Sequence, residues 1–252
     1  MSEKQKISVL ISVYIKENPT FLKDAIESVQ NQTLKPSELV LVEDGPLTPE
    51  LYQVLDQLEA ESDIPVKRYP LEHNQGLGLA LRQGVLQCQY DIIARMDTDD
   101  IAVPDRFEKQ VQLMEKENLD LLGGHIAEFI DNPDEIVSYR RVPTQHADIV
   151  AYQRMRSAFN HMTVMFKKDM VLKAGNYEDG LYMEDDLLWL NMIAAGAKTG
   201  NLDQILCKVR VGAGMFERRG GLRYLKLYRQ ARQRMLKRGQ ISYMEYAKSV
   251  AI

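Results

Sequence analysis

The chain opens with Ile7–Tyr14, a run rich in apolar and β-branched residues, the pattern of a strand buried on both faces. Asn18-Pro19 then reads as an N-cap followed by proline at the first helical position. Phe21, Leu22, Ala25, Ile26 and Val29 recur at helical spacing, so a helix is expected to end near Asn31-Gln32. The alternation repeats. Glu38–Val42 is a second strand, closing on Glu43-Asp44-Gly45-Pro46, and Thr48-Pro49 starts a helix with Leu51, Val54, Leu55 and Leu58 on one face. Val66–Leu71 is a third strand, and the Gly-rich turn His73–Gly78 opens a helix over Leu79–Gln87. A fourth strand, Ile92–Met96, precedes a helix over Pro104–Glu117. This βαβ order predicts an α/β fold with a mostly parallel central sheet flanked by helices.

The second half is less regular. Leu119–Ile130 and Ile136–Val142 read as strands joined by a turn at Asp131-Asn132-Pro133-Asp134. A helix over Thr144–Arg156, a short strand over Met162–Phe166, an apolar helix headed by Tyr182–Asp186 and a last strand over Ile205–Val211 follow. From Arg218 to Arg238 there are many basic residues and no acidic one. On a helical wheel Tyr224, Tyr228, Ala231 and Met235 share a face, with Arg223, Lys226, Arg234 and Lys237 roughly opposite. Such a helix suits a membrane surface; it equally suits a helix packed on the domain with its basic face in water. The expected division is a main domain over 1–215 and a basic amphipathic helical tail over 216–252.

Composition narrows this picture. The 252 residues are 45% hydrophobic and 27% charged, an ordinary globular balance, with room for one large domain or two small ones. A formal net charge of −4 offers no general attraction to nucleic acid. Cys88 and Cys207 form no CxxC pattern and read as reduced thiols of a cytoplasmic protein. The apolar run behind Met1–Lys6 is too short, and wrongly flanked, for a signal peptide or membrane span.

The chemistry concentrates at strand ends. Asp97, Asp99 and Asp100 follow the fourth strand at the carboxyl edge where ligands bind in open α/β sheets. Close carboxylates repel unless a cation lies among them, and hard divalent ions take one or two carboxylates plus substrate phosphates. A metal-phosphate site and a solvated acidic turn ahead of the next helix are both consistent with that stretch. The His73–Gly78 turn lacks the spacing of a phosphate loop and could be a flexible connection. Glu184-Asp185-Asp186 could simply favour a helix N-terminus.

Taken in order, Ser8–Tyr14, Ser28–Thr33, Leu41–Gly45, Asn74-Gln75-Gly76, Ala94–Arg106, His161, Met165–Lys168 and Glu184–Trp189 resemble the family 2 glycosyltransferases of the GT-A nucleotide-sugar fold. The resemblance runs from about Ile7 to Val211 and is nearest to bacterial enzymes that extend capsule or exopolysaccharide repeat units. It implies an inverting, metal-dependent transfer of a hexose-type sugar from a UDP-sugar to a saccharide acceptor carried on a polyprenyl diphosphate. It places Glu17 and Asp44 near the base and ribose, Asp44 as the uracil contact, and Asn74, Gly76 and Arg82 beside the nucleotide and diphosphate. It places Asp97 toward the ribose or sugar and Asp99 on Mn²⁺ or Mg²⁺, as the DxD pair. His161 falls where some relatives carry a histidine near the metal or diphosphate, although a lone histidine is often structural. Asp185 matches the general base. Here Asp186-Leu187 departs from the family's usual aromatic and acidic residues, so Asp186 competes for that role. Arg218-Arg219 resembles a segment that closes over the diphosphate. The tail would meet the inner face of the cell membrane, and a homodimer is open.

Two rival readings exist. Sugar-1-phosphate nucleotidyltransferases carry a Gly-rich loop after the first strand, where this chain has Ser12–Glu17. A nucleotide-sugar-binding or membrane scaffold subunit without turnover is the other. Donor sugar, acceptor and linkage are not legible in the stretch from Gly123 to Asn160.

Overall fold

The computed structural model describes residues 5–179, 183–212 and 221–251. Its centre is a nine-stranded sheet in the order β3-β2-β1-β4-β8-β6-β9-β5, with β7 paired to β6. The first four strands, β1 (Ile7–Val13), β2 (Glu38–Glu43), β3 (Val66–Pro70) and β4 (Ile92–Arg95), run parallel. The expected parallel half is therefore present. Beyond β4 the sheet is mixed: β8 (Met165–Lys167) is antiparallel to both β4 and β6 (Leu121–Phe129). β6 is parallel to β9 (Thr199–Arg210) and forms a hairpin with β7 (Ile136–Arg140).

Alternation along β1 sends successive side chains to opposite faces. Val9, Ile11 and Val13 join Leu22, Ile26 and Val29 of α1 (Pro19–Gln30), Leu51 and Leu55 of α2 (Pro49–Glu61), and Phe107 and Val111 of α4 (Arg106–Glu117). Leu10 faces the other way, joining Leu81 and Val85 of α3 (Leu77–Gln87), Ile149 of α5 (His146–Gln153), Val171 of α6 (Lys168–Lys173), and Leu188 and Trp189 of α7 (Glu184–Ala194). α3 lies so close to the sheet that a Cβ on Gly84 would stand 2.3 Å from Leu10 Cδ1 and 2.8 Å from Val42 Cγ2.

Several elements differ from expectation. His161–Thr163 is a short 3₁₀ turn rather than the start of a strand, and β8 begins only at Met165. β9 starts at Thr199, because Thr199–Leu202 pair with Leu121–Gly124 before a register shift. The two-residue strand β5 (Ile101–Ala102), pairing with β9, and helix α6 were not anticipated. Cys88 and Cys207 are buried free thiols, which burial pushes up to about 12 and about 11.

The tail forms α8 (Gly221–Lys237) and α9 (Tyr243–Val250), the latter opened by a capping box of Ser242 and Glu245. Ala231, Met235 and Ile241 are buried against Met183, Leu187 and Leu190, so the apolar face of α8 packs on α7. Arg232 is buried there too, its Nε donating to Ser249 Oγ at 3.0 Å. Lys226, Arg229 and Lys237 stay exposed on the outer face. No described helix is long and apolar enough to cross a membrane.

Candidate active site

Each acidic position sits where a buried element ends. β2 is buried along its whole length and runs directly into Asp44, which is only 3% exposed. Its carboxylate accepts from Gln75 N at 2.7 Å, Gly76 N at 3.0 Å and Asn74 Nδ2 at 3.0 Å. Asn74 Nδ2 also donates to Asp44 O at 3.1 Å. The two loops approach closely: Gly45 has φ of 84° and a Cβ there would lie 2.6 Å from Asn74 N. The structure thus joins Asp44, Asn74 and Gly76, three of the residues expected beside a nucleotide, into one anchored turn that opens α3. Glu17 closes the turn after β1, at the same sheet edge, its N–H donating to Tyr14 O at 3.1 Å.

β4 ends at Arg95, and the chain turns through Met96–Asp100 before β5. Three anchors fix this turn. Met96 is buried in the core; Asp100 Oδ1 accepts from Arg210 N at 3.1 Å; and Asp97 is paired with Arg95 Nη2. Burial, with Asp97 and Asp99 nearby, holds the Asp100 carboxyl well above the usual carboxylate range. Asp100 is therefore an internal brace, while Asp97 and Asp99 lie half-buried at the surface of the turn. Beneath the turn, Arg106 Nη2 donates to Arg95 O at 2.8 Å.

The third station reaches the same region from α7. Glu184, Asp185 and Asp186 occupy its first turn, where the helix N-terminus favours negative charge. Asp186 is buried, with Oδ1 accepting from Gln153 Nε2 at 2.6 Å. Asp185 Oδ1 accepts from Asp186 N at 2.8 Å. Burial first, then the charges of Asp186 and Glu184, push Asp185 well above the carboxylate range, and Arg95 acts in the opposite direction. Glu184 is raised mainly by burial, with Arg95 again opposing and Asp97 adding to the rise. The acidic turn after β4 and the head of α7 therefore share one electrostatic neighbourhood. Asp186 faces inward to Gln153, which distinguishes it from Asp185.

His161 and Arg82 make internal contacts of their own. His161 Nε2 shares a hydrogen bond with Tyr177 Oη at 2.9 Å, and its ring lies 5.9 Å from that of Trp189. Enclosure and the Arg95 charge hold His161 well below its ordinary value. Arg82 donates to the carbonyls of Gly175 at 3.1 Å and Tyr177 at 2.8 Å, tying α3 to the turn after α6. Arg218 and Arg219 fall outside the described residues. Arg95 was not singled out from sequence, although an arginine inside an otherwise apolar strand end was a signal of it.

Among the described residues no group of three or more His, Cys, Asp or Glu could hold a metal ion alone. Mg²⁺ and Mn²⁺ commonly take one or two carboxylates and leave the remaining positions to water and substrate phosphates. Asp99, with Asp97 beside it on an anchored turn, supplies hard oxygen donors of that kind, and the residues fit such an ion.

The sequence matches the model of "Glycosyl transferase family 2" over residues 8–173. It is 44% identical over 220 residues to the amylovoran biosynthesis glycosyltransferase AmsE of Erwinia amylovora, covering 87% of this chain and 81% of that protein. It is 36% identical over 242 residues to the UDP-Gal:alpha-D-GlcNAc-diphosphoundecaprenol beta-1,3-galactosyltransferase of Escherichia coli, covering 96% of this chain and 87% of that protein. Among solved structures, the mannosyltransferase PcManGT of Pyrobaculum calidifontis, in complex with GDP-Man and Mn²⁺, superposes with a TM-score of 0.71. That match has 13% sequence identity and covers 99% of this chain and 69% of that one, a likeness of fold.

Proposed function

The chain belongs to glycosyl transferase family 2, and from that premise we propose that it transfers a hexose-type sugar, with inversion, from a UDP-sugar to a saccharide on a lipid diphosphate. The process served is bacterial surface-polysaccharide synthesis. The E. coli relative's printed activity, with a UDP-sugar donor and a diphosphoundecaprenol-linked acceptor, supports this choice of substrates. The observation that carries the reading is that Arg95 pairs with Asp97 on the turn after β4 while its charge opposes the rise of Glu184 and Asp185 at the head of α7.

In the reaction the acceptor hydroxyl attacks the anomeric carbon while the bond from that carbon to the nucleoside diphosphate breaks. Asp185 takes the hydroxyl proton. Once ionised, a carboxylate with a raised proton affinity binds the hydroxyl proton more tightly than an exposed aspartate would. Asp99 would hold a divalent ion, which when bound supplies positive charge to the departing diphosphate. Asp97 faces the ribose or sugar, and the Asp44–Asn74–Gly76 turn shapes the nucleotide end. With one base, and no carboxylate nucleophile assigned to the opposite sugar face, a single displacement with inversion follows. The exposed cations Lys226, Arg229 and Lys237 on α8 suit an anionic membrane surface at the cytoplasmic face.

Calorimetric titration of the full chain with UDP, with and without Mn²⁺, tests this. Mn²⁺-dependent binding that Asp99→Ala weakens at least about tenfold is expected, the effect of one lost charge-assisted contact. No UDP binding under either condition overturns the UDP reading. With a competent donor, Asp185→Asn should bind UDP normally and lose transfer; unchanged turnover would move the base to Asp186.

A further inference from the structure

The buried guanidinium at the end of β4 has a structural cost that its hydrogen bonding only partly offsets. Arg95 is 2% exposed. Its backbone is held on both sides, its N–H donating to Val164 O at 2.9 Å and its carbonyl accepting from Arg106 Nη2 at 2.8 Å. Alternation along β4 puts its side chain on the face of Ile93, where Tyr177 and Trp189 lie. There one guanidinium nitrogen, Nη2, pairs with Asp97, while Nε and Nη1 are buried with no hydrogen-bond partner among the described residues. The other two buried arginines among the described residues contrast with it: Arg106 and Arg232 each engage all three guanidinium nitrogens. A buried cation with unmet donors costs stability relative to an apolar side chain of similar volume. Arg95 lies beneath the turn that carries Asp97 and Asp99, and its charge reaches Glu184 and Asp185 at the head of α7.

We propose that Arg95 is a positioning residue for the transfer reaction, holding Asp97 in the orientation in which the Asp97–Asp99 turn receives the nucleotide and its cation. The assignment rests on the reading of the site as a nucleotide-sugar site. Asp97 is 29% exposed, so without its partner it would turn to water rather than remain as a buried, unpaired charge. The variant without the arginine should therefore stay folded and bind poorly.

The test is a double-mutant cycle on the full chain, with UDP and Mn²⁺ as probes in calorimetry and with thermal unfolding in parallel. Arg95→Met should weaken Mn²⁺-dependent UDP binding about tenfold with an unchanged or raised melting temperature, whereas a merely structural arginine would lower it. Arg95→Lys, which keeps the charge and loses the fork, should recover part of the loss. In an Asp97→Asn background the further change Arg95→Met should cost no more than about threefold, because the two residues act as one unit. Losses that multiply, or wild-type binding by Arg95→Met, overturn the proposal. Should the methionine variant not fold, the same cycle with Arg95→Lys decides, multiplicative losses again overturning it. Wild-type protein that binds no UDP removes the UDP-site reading on which the assignment rests, and with it the assignment; binding by wild type and Arg95→Met alike removes only the assignment.

Discussion

Replacing Asp44 by asparagine tests whether the turn at the nucleotide end is anchored by a charge. The side chain is buried and accepts from Gln75 N at 2.7 Å, Gly76 N at 3.0 Å and Asn74 Nδ2 at 3.0 Å. An amide has one acceptor oxygen where the carboxylate has two. Its less costly orientation keeps the oxygen toward Gly76 and Asn74 and turns its NH₂ against the Gln75 N–H. That orphans one buried donor, about 1–3 kcal/mol, and converts two bonds to a charged acceptor into neutral ones at about 1 kcal/mol each. The total is about 3–5 kcal/mol if the turn stays in place. For a domain of this size each kcal/mol lowers the melting temperature by about 2–4 °C. The loss is capped where the turn can detach on its own, since local opening needs less free energy than global unfolding. Amide hydrogen exchange separates the two cases. Asp44→Asn should speed exchange at Gln75 and Gly76 about a hundredfold, the factor that about 3 kcal/mol of lost protection produces. If global stability falls as well, the turn is part of the cooperative core. Unaltered exchange at both amides together with an unaltered urea midpoint would refute the account of Asp44 as the anchor.

Two further outcomes follow from the head of α7. Burial and the charges of Asp186 and Glu184 raise the Asp185 pKa in the folded protein. The penalty for ionising it is absent below the unfolded carboxylate value of about 4, grows as pH rises through the folded value, and is constant above. Asp185→Asn, whose amide oxygen can still accept from Asp186 N, should therefore gain stability over wild type from acid to neutral pH; urea midpoints giving a pH-independent difference would contradict this. Met235, fully buried where α8 meets Met183, Leu187 and Leu190, should cost about 2–5 kcal/mol as alanine. Limited proteolysis should then cut the tail faster, while Met244→Ala, at an exposed position of α9, serves as the unchanged control.

The parallel half of the fold was legible because its signals are local. Asn18 caps α1 by accepting from Thr20 N and Phe21 N, and β1 and β2 are short apolar runs with turn residues at their ends. The second half was harder because long-range pairing decides it. Thr199–Leu202 is a strand because Leu121–Gly124 offers it an edge, while Asp203 and Gln204 interrupt the alternation that would have announced it. α6 has only six residues, too few for a helical period to show. The capping box at Ser242 and Glu245 was a readable signal for α9 that the basic stripe before it obscured. In the site, acidic clusters are conspicuous in one dimension, but their partners are not. Nothing in the spacing joins Asp44 to Gln75, Arg82 to Tyr177, or Gln153 to Asp186.

The missing partners have a common character that explains how an acidic site is built on this sheet. Four buried or half-buried carboxylates at these stations would be costly if left without a partner, and each is satisfied by a different device. Asp44 is held by backbone N–H groups, Asp100 by the N–H of Arg210 on β9, Asp186 by the Gln153 amide, and Asp97 by the guanidinium of Arg95. Among these four, only Asp97 is in a direct ion pair, with Arg95. The neutral donors fix carboxylates that face inward and need only be satisfied. The formal charge of Arg95 meets the half-exposed Asp97, beside Asp99, on the turn proposed to receive the donor. Arg95 thus belongs to the same design as the aspartates, and the side chain in the buried layer determines how the exposed layer is presented.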